Sequence, residues 1–236
     1  MRKNVLVERF FTTLISGDRP EARAILDEAL QADVSAEKIL SHLFWPTLEH
    51  IQKLYRADQL SELAHHYATR LLRQLTDQMQ LRLKQAQRRN KKVLIACGPE
   101  ESEELGAQMA ADVLEADGYD VCFAGGGVAN DEIVEELARL KADILVIFGA
   151  VPSTVPFTRQ LIDRLHDLDI CPKLQIVVGG GVFNRADGLA EEIGADLWAK
   201  DPTELVKQMA HHSDRRMTGD QRTVGRKRRT KGTAAA

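Results

Sequence analysis

Along the first ninety residues, apolar side chains recur at the three- and four-residue spacing of amphipathic helices. Val5, Phe10, Leu14 and Ile15 predict an inward face for a helix over 3–16, stopped at Ser16-Gly17-Asp18. Pro20 suits an early helical position and opens a second helix. That helix carries Ala22, Ile25, Leu26 and Leu30 and ends near Ala32-Asp33. Ser35 is expected to cap a third, containing Ile39, Leu40, Leu43, Leu48, Ile51 and Leu54. Pro46 lies inside it and should kink it, because proline removes a backbone donor and crowds the preceding turn. A fourth, long helix is predicted over 60–84, with Leu63, Tyr67, Leu71, Leu72, Leu75 and Met79 at helical spacing. Four helices joined by short loops predict an antiparallel bundle over 1–85. The polar, basic run Gln85 to Lys91 reads as a linker.

From Lys92 the period changes. Short apolar runs now alternate with helical patterns: 93–97 then 103–116, 120–123 then 129–140, and 144–148 then 155–167. Two further units follow, 174–178 then 186–193 and 197–199 then 202–211. Five strand–helix units in order predict an α/β domain over 92–212, with a parallel sheet and helices on both faces. From Ser213 onward (213–236) the chain is rich in Arg, Lys, Gly and Thr and poor in apolar residues, which predicts a disordered tail.

Charge sharpens this division. The chain of 236 residues has a formal net charge of −3, but from Ser213 onward 8 Lys and Arg face 2 Asp, leaving the rest at −9. So acidic a body is a poor general binder of nucleic acid, and only the tail suits weak contact of that kind. Cys97, Cys122 and Cys171 form no close pair and sit in or beside apolar runs, as expected of reduced thiols in a cytoplasmic protein. No apolar run approaches the roughly 20 residues that span a bilayer, so no membrane association is expected. The opening residues do not read as a secretory signal.

The chemistry-bearing stretches cluster where the predicted strands end. The first strand closes at Gly98-Pro99 and is followed by Glu100, Glu101, Glu103 and Glu104, acidic residues favoured at a helix start by the helix dipole. This turn lacks the glycine spacing and the lysine of a phosphate cradle, and four glutamates repel phosphate. The third strand ends in Phe148-Gly149-Ala150-Val151-Pro152-Ser153 and the fourth in Val178-Gly179-Gly180-Gly181-Val182-Phe183. Glycines there allow unusual φ and close backbone approach, and two such exits at one sheet edge suggest a slot for a flat or long ligand. Gly194-Ala195-Asp196 reads as a structural turn. His42, His50, His65 and His66 lie in the helical region. Adjacent His65 and His66 point about 100° apart on a helix, which does not make a protein-borne metal site. No acid/base carboxylate pair and no nucleophile elbow stands out, so the chain reads as a binding or regulatory protein rather than an enzyme.

Taken together, the two halves resemble the cobalamin-binding modules, in which a four-helix cap precedes a Rossmann-like (flavodoxin-like) domain. Members include methionine synthase, corrinoid proteins of methyltransferase systems and light-sensing regulators. The resemblance spans about residues 5–210 and rests on element order and local matches. Gly118-Tyr-Asp-Val and Gly125-Gly126-Gly127-Val128-Ala129-Asn130-Asp131-Glu132 look like the family's second strand and helix start. Ala142-Asp143-Ile-Leu-Val-Ile resembles the approach to its third exit. Gly179-Gly180 and Gly194-Ala195-Asp196 match its fourth and fifth strands.

The family's Asp-x-His-x-x-Gly motif, whose His ligates cobalt from below, aligns with Glu101-Ser102-Glu103-Glu104-Leu105-Gly106. Asp becomes Glu101, the ligating His becomes Glu103, and Gly106 is kept. The polar Ser that contacts the cofactor's nucleotide tail aligns with Gly149, and the following Leu with Val151. In light-sensing members a cap Trp is followed ten and eleven residues later by Glu-His; the matching places here are Tyr55, His65 and His66, with Trp45 as an alternative aromatic shield. The resemblance implies cobalamin as cofactor, bringing its own cobalt, with Glu101, Ser102, Glu103, Gly106, Gly149, Val151, Gly179, Gly180, Gly181, Trp45, Tyr55 and His66 as cofactor-binding residues. The function implied is a non-catalytic sensory or regulatory module with a regulatory protein partner. The alternatives are a corrinoid carrier of a methyltransferase system, or a module acting only through protein contacts.

Overall fold

A computed structural model describes residues 3–98, 101–149, 151–168 and 171–217. The chain divides into two compact units, Met1–Gln87 and Arg88–Ala236.

The first unit is helical. Helices α1 (Lys3–Ser16) and α2 (Arg19–Gln31) are joined by a tight turn in which Asp18 accepts the Glu21 amide at 3.1 Å, with Pro20 in the first turn of α2. Ser35 caps α3 (Ala36–Ile39), which continues through a π-helical turn, Leu40–Phe44, into α4 (Trp45–Arg56). The predicted kink at Pro46 takes this form. The Trp45 amide reaches back to the Leu40 carbonyl, so the helix widens one residue before the proline that cannot donate. Ser61 caps α5 (Glu62–Gln80), shorter at both ends than predicted.

Phe10 and Phe44 stack at 5.5 Å in the core of this unit, among Leu14, Ile25, Leu48, Ile51, Leu72, Leu75 and Met79. Three predicted inward positions face outward: Val5, Leu63 and Tyr67 are all exposed. Val5 and Leu63 lie in the first turns of their helices, where periodicity says least about burial. Tyr67 lies over Gly17, whose left-handed φ of +72° leaves no Cβ beneath the ring.

The second unit is a five-stranded parallel sheet of order β2-β1-β3-β4-β5, flavodoxin-like as expected. Its strands are β1 (Lys92–Cys97), β2 (Asp120–Gly126), β3 (Ile144–Phe148), β4 (Gln175–Gly179) and β5 (Leu197–Ala199). The connecting helices are α6 (Glu101–Ala116), α7 (Asn130–Leu140), α8 (Val155–Leu168), the short α9 (Leu189–Glu192) and α10 (Pro202–His211). β3 and β4 are buried along their whole length, β3 as an unbroken apolar run and β4 with Gln175 at its start. Leu94, Ala96, Leu145, Ile147, Ile176 and Val178 pack with α7 and α8 on one face, while α6 packs against the sheet and against α10.

β2 runs three residues past its predicted end. A bulge opposite Ile95/Ala96 absorbs one residue, and Gly125 and Gly126 still pair with Ala96 and Cys97. α9 is shorter than predicted because Gly188, at φ +77°, interrupts it.

Two boundary readings need correction. Arg89, assigned to the linker, is fixed on the α/β unit: its amide donates to the Gly118 carbonyl at 2.8 Å, its guanidinium pairs with Asp117 at 2.7 Å, and it lies over the Tyr119 ring. Ser213–Met217, read as the start of a disordered tail, instead lies along the start of β4. The Gln175 side-chain amide donates to the carbonyls of His212 and Arg215, Arg216 donates to Lys173, and the Met217 amide donates to Asp196. The remainder of the predicted tail, 218–236, lies outside the described residues. Among the described residues, no helix is long and apolar enough to cross a membrane.

Candidate functional site

In a sheet of this order the chain leaves β1 toward β2 on one side and returns to β3 on the other. The carboxyl edge beside β1 and β3 is the switch point where such sheets bind ligands. Around it stand the β1 turn at Gly98, the first turn of α6, the β3 exit from Gly149 to Thr154, and the β4 exit at Gly179–Gly181.

Glu103 is the residue that joins these parts. It lies in the first turn of α6 and is fully buried. Its Oε1 accepts the Val151 amide at 2.8 Å and lies 3.1 Å from the Thr154 hydroxyl. That hydroxyl is also 2.9 Å from the Val151 carbonyl, and its single proton serves one acceptor at a time. The carboxylate fills the space above Gly98, where a Cβ would overlap both of its oxygens. The backbone closes in likewise, since a Cβ on Gly149 would stand 2.9 Å from the Glu103 carbonyl oxygen. The neighbouring Glu104 turns to the β2 exit, its Oε1 within 3.2 Å of where a Cβ on Gly125 would be. Two successive glutamates thus straddle β1 and reach the exits on both sides.

The other predicted residues of the sheet edge fall into two groups. Gly149, Val151, Gly179, Gly180 and Gly181 do converge, with Gly149 donating to the Gly179 carbonyl at 2.8 Å and Gly180 to Ala199 at 3.0 Å. Gly149, Gly180 and Gly181 have φ of +87°, +62° and +52°, conformations that glycine alone adopts cheaply. Gly106 is buried within α6, a packing position. The side chains of Glu101 and Ser102 lie outside the described set. Thr154 was not singled out as a contact residue from sequence, whereas Gly98 lies in the turn after the first strand that was. The one local signal was a hydroxyl residue three places after Val151, the spacing of a turn-capping side chain.

In the helical unit, Tyr55 stacks on His65 at 4.0 Å, and His65 and His66 lie 6.1 Å apart, so the matched trio is a real cluster. Tyr55 is partly exposed and His66 half-buried, whereas Trp45 is buried. His42 pairs with Ser41 and His50 meets the Phe11 ring edge-on. Among the described residues, no three His, Cys, Asp or Glu side chains are grouped to hold a metal ion. Asp196 sits at the other end of the sheet, where its carboxylate accepts the Ile176 amide at 2.7 Å. Burial pushes that carboxyl up from its ordinary range, and the hydrogen bonds from Ile176 and Met217 pull it partly back. The Gly194-Ala195-Asp196 turn is therefore structural, as read from sequence.

Fit to a corrinoid is partial. At the β4 exit Gly180 is buried, its amide bound to Ala199 and its carbonyl to the Phe183 amide, and only Gly181 is partly exposed to a ligand. The place aligned with the cobalt-ligating histidine does not fit that role. It holds a buried carboxylate turned toward the β3 exit, engaged by the Val151 amide and within reach of the Thr154 hydroxyl.

Two family models, each described as a B12 binding domain, match the chain, one over residues 6–79 and the other over 91–207. Over 106 residues the chain is 28% identical to monomethylamine corrinoid protein 1 of Methanosarcina mazei, an alignment covering 44% of this chain and 48% of that protein. It is 25% identical over 103 residues to dimethylamine corrinoid protein 3 of the same organism, covering 44% of this chain and 60% of that one. The chain thus spans about half the length of the curated relatives it matches. The structure of the Methanosarcina barkeri monomethylamine corrinoid protein superposes with a TM-score of 0.74 at 18% identity, covering 88% of this chain and 98% of that one. With both the helical and the α/β parts matched in the expected order, the chain belongs to the family of B12-binding-domain proteins.

Proposed function

We propose that this protein is a non-catalytic corrinoid carrier that binds cobalamin at the carboxyl edge of its sheet and presents it to a methyl-transferring partner protein. The observation that carries this reading is the kinship over 106 residues with methylamine corrinoid proteins. It favours the carrier over the sensory or regulatory module that the sequence first suggested. The corrinoid, when bound, supplies the cobalt that accepts and releases the methyl group. The chain's own part is to hold and orient it at the glycine-lined exits, over the rigid floor that the aliphatic strands give. Val151, at the β3 exit, completes the proposed contact set on this unit. Cys122 and Cys171 form no disulfide, which accords with a cytoplasmic setting.

The test is direct. Purified protein incubated with hydroxocobalamin and passed through gel filtration is expected to carry one corrinoid per chain, read from its visible absorbance. Protein that elutes colourless would sink the reading. If instead adenosylcobalamin-loaded protein changes its oligomeric state on illumination, the sensory reading regains the lead.

A further inference from the structure

We infer that the chain seats its own basic segment, Arg222-Thr-Val-Gly-Arg226, in a groove between the edge strand β2 and α7. Val224 meets an apolar floor there, and the arginines beside it meet an acidic rim. The inference does not depend on corrinoid binding. Among the described residues β2 pairs with β1 alone, so one of its sides is a free strand edge. α7 carries the chain from β2 to β3 and packs Ile133, Val134 and Leu137 into the core. Cys122 and Ala124 of β2 are left only partly covered. The result is a groove of about 610 Å³ with Cys122, Ala124, Val128 and Ile133 in its lining. A free strand edge is a surface that proteins ordinarily cover or blunt.

The rim selects the occupant by charge. Glu132 and Glu135 are exposed and three apart on α7, which makes them neighbours on one face. Glu136 is paired with Arg139 at 2.6 Å and Asp131 with Arg164 at 2.5 Å, but among the described residues no cation meets Glu132 or Glu135. A second copy of the chain would bring the same carboxylates to this rim, and like charges facing each other are disfavoured. The segment that fits lies beyond Met217. Arg222, Val224 and Arg226 are two apart, so in an extended segment their side chains point the same way. Lys227, Arg228 and Arg229 add to the positive charge. Reach is sufficient. Met217 is anchored on Asp196, whose carboxylate also holds the start of β4. From β4 to β2 is three strand spacings, about 14 Å. The seven residues from Met217 to Val224 span up to roughly 24 Å when extended. So short a tether gives an effective concentration of about millimolar, and contacts too weak to hold a free peptide then suffice. The docked segment shields the β2 edge from other chains, and a polyanion competing for the same arginines uncovers it.

The experiment reads Cys122, which lines the groove, by iodoacetamide labelling and mass spectrometry of its peptide. At low salt Cys122 is expected to react about fivefold or more slowly in the full chain than in a chain ending at Met217. The difference should vanish at high salt, where ion pairs are screened, and in full-length Glu132→Lys/Glu135→Lys. It should vanish too in Val224→Asp, which leaves every described contact untouched. In full-length Val224→Cys, diamide should oxidise the new thiol and that of Cys122 to a disulfide within one chain, the diamide being reduced to its hydrazine. Equal labelling of the full and shortened chains overturns the inference, as does protection that survives the two lysines. Protection that grows with protein concentration, or a disulfide between chains, gives the groove to a second copy and overturns it as well.

Discussion

The Glu103 carboxylate occupies the volume that a side chain at Gly98 would need. Residues five apart, one closing a strand and the other opening a helix, are thereby made interdependent. Gly98→Ala should push the carboxylate off its donors at Val151 and Thr154 and overpack the turn. A loss of about 1–3 kcal/mol is expected, read as a lower urea midpoint. In the double variant Gly98→Ala/Glu103→Ala, the clash is gone, so the penalty for the alanine at 98 should largely vanish. Additive losses would mean that the two residues do not share this space.

Two left-handed glycines separate backbone strain from steric contact. Gly149 (φ +87°) faces the Glu103 carbonyl, whereas a Cβ on Gly188 (φ +77°) would meet nothing within 4 Å. Gly188→Ala should therefore cost about 1–2 kcal/mol, the strain of a left-handed L-residue. Gly149→Ala should cost clearly more, because backbone must also move. Equal unfolding midpoints for the two variants would remove the close approach of α6 to the β3 exit as an explanation.

The segment from Ser213 to Met217 is expected to contribute stability. A chain ending at His212 loses the Met217 amide from Asp196, the Arg215 carbonyl from Gln175 and the Arg216 contact with Lys173. It should unfold at lower urea than a chain ending at Met217, by about 1–3 kcal/mol for a buried carboxylate left short of a donor. Indistinguishable midpoints would show that these hydrogen bonds add nothing net.

The basic run Arg226-Lys-Arg-Arg-Thr-Lys231 offers five cations in six residues. Full-length protein is expected to bind a fluorescent DNA duplex weakly at low salt, without sequence preference, and to release it steeply toward physiological salt. The chain ending at Met217 should not bind, since its net charge is strongly negative. Equal anisotropy changes for both proteins at low salt would place any nucleic-acid contact in the body.

Much of the architecture could be read along the chain because its causes are local. Apolar residues three and four apart make a helical face, and unbroken runs such as Ile144–Phe148 make strands buried on both sides. The alternation of the two leaves few arrangements besides a parallel sheet covered on both faces. Glycine misled in two opposite ways: Gly125 and Gly126 lie beyond the predicted end of β2 yet still pair within it, while Gly188 breaks the helix predicted to run through it. The role of Glu103 had no local signature. In the sequence it is one of four acidic residues at a helix start, favoured there by the helix dipole whatever else it does. Its partners Val151 and Thr154 lie 48 and 51 residues away. Folding alone brings the β1 and β3 exits together, because strands adjacent in the sheet are not adjacent in the chain. Whether a carboxylate at that crossing faces solvent or is buried against a glycine depends on packing between segments that no sequence period connects.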